Sequence, residues 1–395
     1  MRTLLLLAAA AVALPEPASA APCADLPNPI YLQVGDTQLN LMKRLGRALR
    51  DNTDKPITLV FVTSGSCVNI QAIYNRTPIP AGTNMQYIPS SAEDGAWTPS
   101  SPTLICQAPD GGVVPDIANS ALFNSACGPT PPPATVQLTS GPVQAYVMAV
   151  PEQATETAIT FEEAYFVFGF GQAGQILPWV DETQMFIRTM TKSTLLAWAA
   201  NISVPAEKWK GVRHDGSPMV VSSLTSSSSP QSAIGILGAE VYDGLRDQLN
   251  ILAFRAKGQY AAYYPDSTST SRDKKNVRDG HYTVWSPTIW MDTIDASNNP
   301  VKPDARYVID LIAGHTVTPS INFDMQAIVA AVGLVPDCAM GVKRSFEGGP
   351  LSLYSPTQSC VCKYESLVDT SSCATCSESQ ACASGVCRNG FCEVQ

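Results

Sequence analysis

Histidine is nearly missing from this chain of 395 residues: only His214, His281 and His315 occur. None stands in an HExxH-type or paired arrangement, which excludes the common histidine-based metal sites. There is no Gly-x-Ser-x-Gly elbow; Thr63-Ser-Gly-Ser-Cys67 comes near one, but Cys67 stands where the second glycine would be. Charge is also sparse. Asp, Glu, Lys and Arg make up 15% of residues, with 25 basic against 34 acidic side chains and a net charge of −9. That balance argues against nucleic acid, whose phosphates need clustered Lys and Arg. It leaves small anions open, because a local pocket can oppose the net charge. Beyond residue 20 no apolar run approaches the ~20 residues of a bilayer-spanning helix, so the mature chain is read as not membrane-spanning. Three scattered histidines supply no nucleophile, base and orienting group together. The chain is therefore expected to bind rather than catalyse, with no cofactor and no metal.

What is present begins with an export signal. Arg2 gives a basic start, Thr3 to Leu14 an apolar run, and Ala18-Ser19-Ala20 a small-x-small cleavage site, the layout of a secretory signal peptide. Loss of residues 1–20 removes Arg2 and Glu16 and leaves the net charge unchanged. Pro22 precedes Cys23 where a lipid-anchor signal wants a small residue, so Cys23 is read as a disulfide cysteine. Twelve cysteines, an even number in an exported chain, imply six disulfides in the periplasm, the medium or at the cell surface.

Their spacing divides the chain. Cys23, Cys67, Cys106 and Cys127 lie early, none follows until Cys338, and Cys360, Cys362, Cys373, Cys376, Cys382, Cys387 and Cys392 crowd the end. A body over 21–336 and a stapled tail over 337–395 are expected. The tail has few large apolar residues and must be held by disulfides. Cys373-Ala-Thr-Cys376 alone would allow zinc, but irregular spacing and the lack of a tail histidine favour disulfides. In the body, Leu39 to Arg50 carries helical apolar spacing, and Thr58 to Val62 reads as a buried strand. Gln144 to Val150 is a second strand candidate after the proline-rich Pro129 to Pro133. Met325, Ile328, Val329 and Val332 mark a last helix within Ser320 to Pro336. Alternating strands and helices imply α/β architecture with mostly parallel sheets. Thr77 to Pro115 reads as a long excursion, and Ser222 to Ser229 as a linker or a ligand-facing turn. Glu162 and Glu163 are adjacent and should point apart, towards solvent.

One local pattern points to chemistry. Ser64-Gly65-Ser66 follows the strand ending at Val62 and precedes a helical run from Val68 to Tyr74. Strand, small-residue loop and helix start present free N–H groups at the positive end of a helix dipole, an anion site. Ser and Gly are equally ordinary turn and cap residues.

The order of features resembles the phosphate-type branch of the type II periplasmic solute-binding proteins, over roughly residues 29 to 336. Ser64-Gly65-Ser66 stands where that family has its first anion loop. Asp116-Ile-Ala-Asn-Ser120 resembles its "DFGAS" element, and Glu162 to Phe168 with Leu177-Pro-Trp179 its "E-x-x-x-I-F-x-G … W" segment. Arg188-Thr-Met-Thr-Lys-Ser-Thr194 is similar to its Arg-x-x-x-Ser-Gly-Thr. Ala233 to Ile236, Gly280 to Trp285 and Gly333 to Pro336 resemble its "GAIGY", "G-x-Y-P-x-W" and "GYVP". The resemblance implies two α/β lobes closing on one ligand: lobe one from about 29–129 and 264–335, lobe two from about 135–263. Separate sheets are expected around Phe61 and Val147.

The same resemblance implies that Ser64, Gly65, Ser66, Ser120, Arg188, Lys192, Ser193 and Thr194 bind the ligand. Ser64 and Arg188 would converge from opposite lobes. The departures lie in the pocket. Ala121 replaces the family's proton-accepting Asp, Lys192 and Ser193 replace its Ser and Gly, and Met190 replaces an acidic neighbour. Acceptors are lost and positive charge kept, which suits a deprotonated, sulfate-like oxyanion. Two functions remain: capture of a small anionic solute for a membrane transporter or sensor, or an interaction or surface protein that reuses the fold without a ligand.

Overall fold

The computed structural model describes residues 21–369, 371–377, 382–383 and 385–393; the expected signal peptide lies outside them. Strand β1 (Pro29–Gly35) is buried from Ile30 onward, as a strand covered on both faces must be. Helix α1 (Leu39–Arg50) keeps the expected bounds and buries Leu41, Met42, Leu45 and Leu49 on one stripe. Strand β2 (Thr58–Ser64) pairs in parallel with β1, Leu32 opposite Phe61. Helix α2 (Ser66–Tyr74) starts two residues before the expected run. The Thr77 to Pro115 excursion folds as β3 (Asn84–Tyr87) and β4 (Leu104–Gln107), an antiparallel pair on the open edge of β2. Strand β5 (Ile117–Ser120) lies parallel to β1 on its other side.

The chain then leaves this lobe along a single strand of 16 residues, β6 (Val136–Pro151). The second lobe follows without interruption: β7 (Ala158–Thr160), α3 (Phe161–Phe170), β8 (Met185–Arg188), α4 (Ser193–Ile202), β9 (Val212–His214), α5 (Ser217–Thr225), β10 (Ile234–Gly238), α6 (Ala239–Tyr242), β11 (Leu249–Ile251), β12 (Ala253–Arg255) and α7 (Lys275–Arg278). Thr160 and Glu163 form a reciprocal capping box at α3, each side chain taking the other's backbone N–H, at 3.1 and 2.8 Å. Glu162 turns away to Arg255 at 3.1 Å. The serine run is neither linker nor ligand turn: α5 absorbs it to Thr225, and Ser227 Oγ then donates to Gln184 at 2.7 Å.

The return is β13 (Trp285–Thr293), which pairs antiparallel with β5 and with most of β6. One ladder consequently contains both Phe61 and Val147, where two sheets were expected. The reason is that β6 and β13 each run through both lobes. Two separate cores still define the lobes. Ile30, Leu45, Phe61, Trp290 and Val308 lie in one, and Val147, Phe168, Trp198 and Ile236 in the other. Val277, Tyr282 and Val284 belong to the second core, so lobe two extends to the start of β13 rather than to residue 263. The expected predominance of parallel pairing holds only for β1 with β2 and β5, β8 with β9 and β10, and β7 with β12; the crossing strands pair antiparallel.

Helices α8 (Pro303–Ala313) and α9 (Met325–Ala331) complete the first lobe. The tail departs from expectation in its first half. Ala339, Met340, Val342 and Tyr364 are buried in the second core. Helix α10 (Val361–Val368) ties to both lobes through Lys363–Asp324 and Arg278–Glu365, at 2.9 and 2.8 Å. Disulfides join Cys23–Cys106, Cys67–Cys127, Cys338–Cys360, Cys362–Cys373, Cys376–Cys387 and Cys382–Cys392. The sulfurs of Cys376, Cys382 and Cys392 cluster within 4.8 Å, but each is oxidised and offers no thiolate.

Candidate functional site

The carboxyl ends of the parallel strands in the two lobes face each other, the place where open α/β sheets take ligands. From lobe one come the turn after β1, the β2–α2 loop and residues 120–123. From lobe two come the ends of β8 and β10 and the starts of α4 and α5.

Arg188, the last residue of β8, has no solvent exposure. Four of its five N–H donors are taken by the protein. One terminal nitrogen donates to Ser217 Oγ at 2.7 Å; the other donates to Asp36 Oδ2 and Asp215 O, each at 2.7 Å. Nε reaches His214 O at 3.3 Å. Asp36 belongs to the other lobe, in the turn between β1 and α1. Its carboxylate also accepts from the Ser217 N–H and hydroxyl, each at 3.3 Å, at the first residue of α5. A helix start, a serine and an arginine thus grip an anion across the cleft, and the anion is the chain's own side chain.

The other expected donors are drawn into the same seam. Gly65 caps α2, and a Cβ there would come within 2.8 Å of Thr191 O, so only glycine lets the backbones approach. The N–H of Cys67 donates to Thr191 O at 3.2 Å. Ser66 Oγ accepts from Ala121 N at 3.1 Å, and Ser120 Oγ donates to Leu122 O at 2.8 Å. Tyr146 on β6 donates its hydroxyl to Ala121 O, with Ser193 beside it; burial pushes this phenol well above its usual pKa. Ser64 is half-buried, and its hydroxyl has no partner among the described residues. Lys192 is nearly buried, with only the exposed Asp215 at 3.4 Å. Thr194 Oγ1 is buried without a partner. Opposite lobes do meet here, but Ser64 and Arg188 share no partner; Asp36 closes the contact instead.

Sequence reasoning missed Asp36, Ser217 and Tyr146. The available signal was Gly35-Asp36-Thr37 between a buried strand and a helix, and Ser217-Pro218 opening another. Glu240, at the start of α6, is also buried against this region. Burial, then the nearby Asp36 and Asp243, push its carboxyl well above the usual range, against a smaller opposing pull from its own backbone and Arg188. No hydrolytic triad assembles at His214. Ser223 Oγ lies 3.1 Å from its Nε2, but no carboxylate orients the other ring nitrogen among the described residues.

Two α/β lobes with facing strand ends, joined by two long crossing strands, define the fold of the periplasmic binding proteins. No family model and no curated protein matches the sequence. Among solved structures, the chain is similar to a Clostridium perfringens protein described as a phosphate ABC transporter substrate-binding protein, with bound phosphate. The two share 14% identity over 78% of this chain and 99% of that one, at a TM-score of 0.52. An ABC-type phosphate transport receptor from Vibrio cholerae matches at 12% identity, over 78% and 99%, at 0.46. The reduced OxyR regulatory domain from Pseudomonas aeruginosa matches at 9%, over 71% and 92%, at 0.39. The first of these similarities establishes the fold. No helix among the described residues is long and apolar enough to cross a membrane.

Proposed function

We propose that the chain is an exported interaction or surface protein that uses the binding-protein fold with its interlobe anion site filled by its own carboxylate. The observation that carries this reading is the closed set of contacts around Arg188, with Asp36 in the role a free oxyanion would take. A tethered carboxylate acts at an effective concentration of millimolar or more, set by the chain that holds it. A scarce free oxyanion competes poorly with it. The twelve paired cysteines and the N-terminal signal support a site of action outside the cytoplasm, and the role is one of binding rather than catalysis.

A second reading, capture of a sulfate-like or deprotonated oxyanion for a transporter or sensor, is favoured by Thr194 and Lys192. A buried hydroxyl without a partner and a nearly buried ammonium with one distant partner would both gain from an anion in an opened cleft. Thermal unfolding in a panel of sulfate, phosphate, nitrate and chloride separates the two. Curves that respond only to ionic strength are expected. Selective stabilisation by one oxyanion, about 2.7 kcal/mol at a hundredfold excess over Kd, would replace the first reading with the second.

A further inference from the structure

Arginines in this acidic chain are almost all engaged. Among the described residues, Arg44, Arg76 and Arg272 are exceptions, whose side chains make no hydrogen bond, ion pair or ring contact. Arg76 stands in the turn after α2. Arg44 and Arg272 instead line one cavity of ≈ 560 Å³, where α1 of the first lobe, α6 of the second, the end of α9 and the tail helix α10 meet.

The lining explains why two cations can stay unpaired there. Asp243 is already neutralised by Arg246 and Lys274, at 2.5 and 2.9 Å. Glu240 also lines the cavity. It is 95% buried, and neither carboxyl oxygen has a hydrogen-bond partner in another residue. Burial holds its carboxyl well above the usual range, which disfavours its charged form. The net local charge is therefore positive, in a chain whose overall charge is −9. The opposite wall is apolar: Val332 comes from the end of α9, Leu367 and Val368 from α10. Two free guanidiniums and one buried carboxylic acid facing an apolar wall make a site for a molecule with one anionic end and one short hydrocarbon end.

We propose that this cavity is a binding site, distinct from the Arg188 cluster, for a small amphiphilic anion such as a monoalkyl phosphate or a short-chain carboxylate. The site takes a contribution from both lobes and the tail, so an occupant bridges all three.

Calorimetric titration of the full, oxidised chain with butyl phosphate, hexanoate and inorganic phosphate tests the proposal. Butyl phosphate or hexanoate should bind saturably, and more tightly than inorganic phosphate. Arg44→Ala and Arg272→Ala should each weaken binding about tenfold or more, the usual loss for a charge-assisted hydrogen bond. Neither guanidinium makes a hydrogen bond or ion pair within the fold, so both variants should keep the native circular dichroism and melting temperature. Arg76→Ala should bind like the native chain, and Glu240→Gln, which keeps a neutral donor, should retain binding. Absence of binding at millimolar concentration overturns the proposal. So do titrations that Arg44→Ala and Arg272→Ala leave unchanged, or a loss shared equally by Arg76→Ala. Inorganic phosphate binding as well as butyl phosphate removes the apolar wall from the site and with it the ligand class. Arg44 and Arg272 make no hydrogen bond to the Arg188 cluster, so Arg44→Ala and Arg272→Ala should leave the Asp36–Arg188 pair intact, and failure here and failure at Arg188 are read separately.

Discussion

Replacing Asp36 with alanine removes the partner of a guanidinium that has no solvent exposure. Breaking a buried pair from one side typically costs 3–5 kcal/mol, since the remaining charge is left uncompensated. Two features reduce that figure here. The Asp36 side chain is 23% exposed, so water can partly replace it, and Arg188 keeps Ser217 Oγ and the carbonyls of Asp215 and His214. A loss of about 2–3 kcal/mol is expected, read as a lower urea midpoint with the slope unchanged. The second half of the expectation is specific to an anion site. Sulfate should restore stability to Asp36→Ala, approaching 2.7 kcal/mol at a hundredfold excess over its Kd, and should leave the native chain unaffected. Small-angle scattering should show the variant more open without sulfate and native-like with it. A loss below about 0.5 kcal/mol, the scale of ordinary surface changes, would refute the idea that this pair latches the lobes. Equal rescue by sodium chloride at matched ionic strength would refute the claim that Asp36 stands in for an oxyanion.

Two further outcomes follow from buried groups elsewhere. Asp292 on β13 pairs with Arg306, yet burial outweighs that partner and raises its pKa to about 6. A raised folded pKa means the native state holds the proton longer than the unfolded chain, so its contribution falls as pH rises from about 4 to about 6 and is flat above. Asp292→Asn should remove up to about 3 kcal/mol of that slope, and identical melting-temperature profiles for the two proteins would count against it. Replacing Cys338 and Cys360 with serine opens a bridge of sequence separation 22 and should cost about 3 kcal/mol. It should also expose the Lys343-Arg344 bonds to trypsin. That segment is otherwise held by Arg344 stacked 4.3 Å from the Trp285 ring and by Glu347 bonded to Ser286 Oγ at 2.7 Å; unchanged digestion would show that the bridge does not secure it.

The elements legible in the sequence were those whose partners are local. Leu41, Met42, Leu45 and Leu49 repeat at helical spacing, and α1 has the expected ends because every turn of it carries the signal. The β2–Gly65–α2 junction was readable for the same reason. The full reach of β6 was not. Gly141-Pro142 interrupts its middle, and its first half alternates polar residues, so only Gln144 to Val150 looked like strand. The site was half legible. Arg188, Ser66 and Gly65 do lie in the interlobe seam, but what they touch depends on contacts across more than a hundred residues, such as the 152 between Asp36 and Arg188. A Gly-Asp-Thr turn before a helix looks like any cap until the other lobe is in place. The tail misled in the opposite way: its composition describes the hairpin after residue 369, whereas Ala339, Met340, Val342 and Tyr364 bury themselves against a core the tail does not itself contain.

Strand β13 fills the gap between β5 and β6, and Asn119 waits 170 positions for the carbonyl of Ile289. During synthesis, therefore, the first half of the molecule is made with an unfilled slot in its main sheet, and the second lobe too lacks the part of its core that Ala339, Met340, Val342 and Tyr364 supply. Closing a loop of that size before any contact repays it is slow, and until then β5 shows a bare row of peptide groups that any passing strand could zip onto. Maturation should accordingly be a race between the late arrival of β13 and intermolecular pairing, with dilution or a holding chaperone deciding how much product escapes the pellet.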